Sequence, residues 1–96
     1  MEGFEWGEEK NKTNQKKHGM PLRAAIPVFE DEYRIEIYDE DNSNYGEDRY
    51  ITIGYNKVSA ILYVIYTMRI NDRVRLISAR LAEPHEKRLY QQNRGK

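Results

Sequence analysis

The stretch AILYVIYTM, residues 60–68, is an almost unbroken apolar run. It is far too short to span a bilayer, which takes about 20 residues. It predicts a central β-strand covered on both faces. The segments around it alternate instead. Tyr33, Ile35 and Ile37 are separated by Arg34 and Glu36, and Ile51 and Ile53 lie between Tyr50, Thr52 and Gly54. A period of two predicts strands with one buried face. YNKVS (55–59) turns the chain from the second of these into the central strand, and Asn71-Asp72 marks the turn into RVRLISAR, residues 73–80. Such close spacing predicts antiparallel hairpins. Between the first two strands, DEDNSNYGED (39–48) reads as a polar, acidic and mobile turn.

The first third of the chain has another pattern. Phe4 and Trp6 alternate with Gly3 and Glu5, a short first strand. EEKNKTNQKKH (8–18) has acids first and bases last, the charge order a helix dipole favours, and Gly19 is its natural stop. This helix has almost nothing apolar to bury. In PLRAAIPVFED (21–31), Leu22, Ala25, Ile26 and Phe29 fall on one helical stripe, while Pro27 predicts a kink or a shortened helix. The end, EPHEKRLYQQNRGK, reads as a terminal helix with Pro84 in its first turn and Leu81, His85 and Leu89 along one side. The element order is β-α-α-β-β-β-β-α: an α+β chain of two helices, an antiparallel meander and a last helix, in one domain over residues 1–96.

With no cysteine there is no disulfide and no thiolate metal site, which suits a reducing cytoplasm. Two histidines 67 positions apart offer no zinc set, there is no Gly-rich phosphate loop, and no cofactor is expected. The N-terminus is acidic and lacks the apolar core of a signal peptide. The charge is lopsided: residues 1–48 hold thirteen acids and six bases, and residues 49–96 hold three acids and ten bases. A basic half suits a polyanion partner; two halves that neutralise each other on folding is the alternative.

FEW near the start, Asn14 followed by KHG, VF at 28–29, GEDRYITIG at 46–54, YTMR at 66–69, RLISARLA at 75–82 and the late Tyr90 together resemble BrnT, the ribonuclease toxins of bacterial type II toxin–antitoxin pairs. The resemblance implies a RelE-like fold, with the helices on one face of a small antiparallel sheet and the other face open. It also implies RNA cleavage, arrest of translation and neutralisation by a BrnA antitoxin. That antitoxin carries a ribbon-helix-helix DNA-binding part, and the pair represses its own operon, so operator DNA is met only through the antitoxin. A heterotetramer follows from a dimeric antitoxin holding two toxins. Two departures stand out: Gly7 replaces the aspartate that usually follows the tryptophan, and MPLRAAIP replaces a second helix that opens with phenylalanine and glutamates.

Metal-independent RNA cleavage needs a base for the ribose 2′-hydroxyl, an acid for the departing 5′-oxygen, and cations for the charge on phosphorus. His18, beside Lys17, is the histidine candidate; equally, it finishes a helix and meets its dipole. Glu47 and Arg49, two apart at a strand start, pair a carboxylate base with a phosphate clamp, or form an exposed ion pair. Arg69 and Arg80 end two strands, and the hairpin does not bring them together automatically. By strand parity Arg80 shares a side with Val74, Leu76 and Ser78, where it needs either a phosphate or a structural carboxylate. Arg73 and Arg75 have the opposite parity and could contact RNA or antitoxin. Tyr90 could reach a phosphate or be buried, and His85 reads as packing or surface. The catalytic set is therefore Lys17, His18, Glu47, Arg49, Arg69 and Arg80, with Arg73, Arg75 and Tyr90 on the RNA. The competing reading is an inactive BrnT-like binding module that acts with its antitoxin as a corepressor.

Overall fold

The structure, a computed structural model, describes residues 3–44, 46–58 and 60–95. Its five strands are β1 (Phe4–Glu5), β2 (Ile35–Tyr38), β3 (Arg49–Tyr55), β4 (Ile61–Met68) and β5 (Val74–Leu81), ordered β1-β5-β4-β3-β2 across one sheet. Helix α1 spans Glu8–His18 and α2 spans Pro84–Arg94, with a 3-10 helix over Leu22–Glu30. The element order follows the sequence pattern. The sheet, however, is mixed: β2 to β5 form the antiparallel meander, and β1 lies parallel to β5 with Glu5 beside Arg75.

Pro27 has the larger effect expected of it. It cannot donate the backbone bond an α-helix requires, and residues 22–30 wind as a 3-10 helix instead. The fully buried residues are Leu22, Ala25 and Val28, spaced by the three-residue period of that helix. Ile26 and Phe29, assigned to the stripe by an α-helical period, are only partly buried. Against Leu22, Ala25 and Val28 pack Leu62, Val64, Tyr66, Leu76 and Ala79 from the sheet. Gly54 sits where this layer is tightest: a Cβ there would lie 2.9 Å from a Val28 methyl.

Helix α1 docks through a single buried residue, Asn14. Its side-chain amide accepts from the Ala79 N–H at 3.0 Å and donates to the Ala79 carbonyl at 2.9 Å and the Met20 carbonyl at 3.0 Å. Because β1 ends at Glu5, β5 has no strand partner beyond Arg75 on that side, and Asn14 takes the partner's place. Asn14→Ala orphans two buried backbone groups, so we expect a loss of about 2–4 kcal/mol in urea unfolding. A loss under about 0.5 kcal/mol would mean that water replaces the amide.

The other face of the sheet is only partly covered, contrary to the two-sided burial predicted for β4: Ile61, Tyr63 and Ile65 are half-buried. Helix α2 closes one end of this face through Tyr90, packed with Ile51, Ile53 and Ala82. The docked side of α2 carries Glu86 and Tyr90, while His85 and Leu89 point outward and Leu81 belongs to β5. Pro84 fixes the helix start, and a capping box between Glu83 and Glu86 sets its phase.

Candidate active site

Strand register decides which candidate side chains meet. Arg49 pairs with Thr67, and Thr67 pairs with Arg75, so Arg49 and Arg75 emerge on the same face, the one that is partly open. The β4–β5 hairpin continues the pairing, with the Arg69 N–H donating to the Arg73 carbonyl at 2.8 Å. Four arginines thus gather at one end of the open face. A residue not singled out from the sequence, Glu5, binds three of them. Its carboxylate lies 3.0 Å from Arg73 Nε, 2.9 Å from Arg75 Nη1 and 3.8 Å from Arg69 Nε. Hydrogen bonds from Arg75 and then Arg73 hold its pKa below the ordinary value. The signal in the sequence was its alternation with Phe4 and Trp6, which puts it on the face opposite those apolar rings.

Glu47 stands 3.7 Å from Arg49 Nε. That Nε is buried and, among the described residues, has no hydrogen-bond acceptor. The acidic turn is held by hydrogen bonds: the Ser43 hydroxyl donates to the Asp39 carbonyl at 2.7 Å and accepts from the Arg49 N–H at 2.9 Å. Asn44 and Glu47 exchange backbone bonds at 3.0 Å each. Glu47 is thereby fixed beside Arg49. The whole cluster, with four guanidinium groups and the carboxylates of Glu5 and Glu47, keeps excess positive charge on an accessible surface.

Lys17, His18 and Arg80 form a separate group near the other end of β5, where α1 stops. Gly19 takes the left-handed conformation at φ 73° and its N–H caps α1 on the Gln15 carbonyl, so His18 does end the helix. Burial, then the charges of Lys17 and Arg80, hold its pKa below the ordinary 6.5. Five residues of strand separate Arg75 from Arg80, about 16 Å at the usual rise. The candidate residues therefore fall into two groups toward opposite ends of β5.

Arg80 does not lie on the side its parity suggested. Ile65 pairs with Ser78 but Tyr66 with Leu76, so Ile77 is an extra residue in β5, a bulge that reverses the alternation. Arg80 emerges on the open face, on the same side as Arg75, and finds a structural carboxylate there. Its two terminal nitrogens bind the Glu86 oxygens at 2.8 and 2.9 Å, and its guanidinium carbon lies 3.9 Å from the Tyr63 ring centre. It ties α2 to the sheet, and both terminal nitrogens are engaged by Glu86. Of the two sequence readings of Tyr90, the structure places it in the buried one: its ring is buried and its hydroxyl donates to Asp31 at 2.6 Å.

Among the described residues Glu83, His85 and Glu86 bring possible ligand atoms within 4.8 Å of one another. Glu86 is already engaged by Arg80 and the Glu83 N–H, and the Glu83 side chain caps α2, so this group is explained by helix docking.

The family described as "Ribonuclease toxin, BrnT, of type II toxin-antitoxin system" matches residues 6–86. This chain belongs to the BrnT family. A solved member, the Brucella abortus ribonuclease toxin BrnT, superposes with a TM-score of 0.64 at 25% identity, covering 81% of this chain and 92% of that one. No curated protein matches it. Among the described residues no helix is long and apolar enough to cross a membrane. Within this BrnT framework the departure at Gly7 reaches the arginines directly. A Cβ at this position would lie 3.2 Å from Arg75 Nη2, so an aspartate would add a second carboxylate beside Arg75, which with glycine has Glu5 alone.

Proposed function

We propose that this BrnT-family chain is an endoribonuclease that cleaves RNA at the arginine cluster without a metal and so arrests translation. The observation that carries this reading is the gathering of Arg49, Arg69, Arg73 and Arg75 on one accessible face beside Glu47. Guanidinium groups suit the developing charge on a phosphodiester. Glu47 takes the 2′-hydroxyl proton, and the 2′-oxygen attacks phosphorus. The 5′-oxygen then leaves and draws its proton from solvent. The products carry a 2′,3′-cyclic phosphate, which opens to a 3′-phosphate, and a 5′-hydroxyl. A BrnA-type ribbon-helix-helix antitoxin, in a heterotetramer, holds this activity in check and alone meets operator DNA. The expected location is the cytoplasm. The test is RNA cleavage in EDTA by antitoxin-free protein, with product ends identified; intact RNA, both free and on ribosomes, would overturn the reading.

Lys17 and His18 then serve a neighbouring phosphate along β5. His18→Ala is expected to raise KM several-fold with kcat nearly unchanged. Because the imidazole is neutral at pH 7, lowering the pH through its depressed pKa, below 6.5, adds a cation. RNA affinity should rise over that window in wild type and stay flat in His18→Ala. A collapse of kcat in this variant would instead put the chemistry at the helix end.

A further inference from the structure

We infer that the cavity beside the arginine cluster is a guanine-reading subsite; the inference rests on the ribonuclease reading above. A hollow of ≈ 490 Å³ opens where residues 46–48 and the β4–β5 hairpin diverge, lined by Glu47, Asp48, Tyr50, Met68, Arg69 and Ile70 among others. It shares Arg69 and Glu47 with the cluster and continues round the end of the sheet to Tyr50, which pairs with Tyr66 on the helix-covered face, so a base reaches it from a phosphate at the arginines by passing round the ends of β3 and β4. The walls suit a flat ring. Tyr50 stacks on Tyr66 at 5.6 Å, Met68 is nearly half exposed, and Ile70 at the hairpin tip is fully exposed. A base laid against these side chains would cover apolar surface that now faces water.

Asp48 selects among the bases. Its backbone carbonyl accepts the Thr67 hydroxyl at 2.6 Å, which holds the chain at this residue, and its Oδ1 accepts the Tyr38 hydroxyl at 2.9 Å, which orients the carboxylate. Among the described residues Oδ2 accepts no hydrogen bond. An ionised carboxylate only accepts. Guanine alone presents two adjacent N–H donors, N1–H and N2–H, on its pairing edge. Adenine and cytosine each put a ring acceptor beside their amino group, and uracil flanks its single N–H with two carbonyls. All three would set an acceptor against the Asp48 oxygens.

The experiment is titration of the full chain with 3′-GMP, 3′-AMP, 3′-CMP, 3′-UMP and inorganic phosphate, alongside mapping of cleavage sites. Wild type should bind 3′-GMP about tenfold or more tightly than the other three nucleotides. Asp48→Asn should lose that preference while keeping phosphate affinity and unfolding temperature, and Tyr38→Phe, which leaves the carboxylate in place, should keep it. Equal binding of all four nucleotides, or a guanine preference that survives Asp48→Asn, overturns the subsite. Cleavage without guanine preference removes the subsite alone; guanine-selective binding without cleavage supports it and removes the reaction.

Discussion

Arg75→Ala should lower kcat/KM for RNA cleavage by about two to three orders of magnitude, the usual effect of removing one charge-stabilising donor from a preorganised site. Arg75 is centrally placed. It pairs across β4 with Thr67 and shares Glu5 with Arg69 and Arg73, and Gly7 leaves its outer side uncovered. Its side chain is more than a third exposed, so little stability depends on it, and Glu5 keeps two other partners when it goes. The unfolding midpoint should therefore move by less than about 1 kcal/mol. Arg75→Lys should recover only part of the rate, because an ammonium supplies the charge without the planar fork. Single-turnover cleavage in EDTA, read beside urea unfolding, separates these effects. A wild-type rate in Arg75→Ala would move the reaction away from this end of the sheet.

The second large effect is structural. Asp31→Ala should destabilise the fold by about 3–5 kcal/mol, a large share of the margin available to a chain of this size. Asp31 is buried. Its carboxylate accepts the Tyr90 hydroxyl at 2.6 Å and the backbone N–H groups of Tyr55 at 2.8 Å and Tyr33 at 2.9 Å, joining α2, β3 and the end of the 3-10 helix. Tyr90→Phe removes one of these bonds and should cost about 1–2 kcal/mol. Burial works to raise the Asp31 pKa, but those three bonds outweigh it and hold the group below its ordinary 3.8. Glu86 behaves alike: burial is outweighed, chiefly by Arg80, and its pKa is lowered. A folded carboxylate that gives up its proton more readily than the unfolded one stabilises fully above the unfolded pKa. That contribution drains away as the pH falls through the folded value. Both groups anchor α2, so acid should release this helix before the sheet opens. Urea midpoints from pH 7 down to pH 3, with Asp31→Ala losing the steepest part of the decline, check this. An unchanged decline in the variant would assign the acid sensitivity elsewhere.

How far the sequence foretold this site varies by residue, for physical reasons. Periodicity placed the strands, α1 and α2 to within a residue or two, because apolar alternation and terminal charges are local properties. The 3-10 winding followed from Pro27, but the change of period from 3.6 to three moved the buried set from Phe29 to Val28. The arginine cluster could not be seen in advance, since Arg49, Arg69, Arg73 and Arg75 meet only through the pairing of three strands. Glu5 joins them because β1 runs parallel to β5, a pairing across nearly 70 residues with no local signal. Arg80 was placed on the wrong side for a simpler reason. Counting by twos presumes an unbroken ladder, and nothing in RVRLISAR announces the extra residue.

That extra residue has a consequence for the whole molecule. Ile77 acts as a half-wavelength phase slip in a two-residue wave: everything after it is inverted relative to everything before. Without it, Arg80 would be driven beneath the 3-10 helix, among Leu22, Val28 and Val64, and away from Glu86. With it, the cations of β5 all belong to one side, and the chain acquires an electrical front and an oily back. A backbone irregularity of one residue thus determines which surface carries Arg80 and, through its bond to Glu86, where α2 docks.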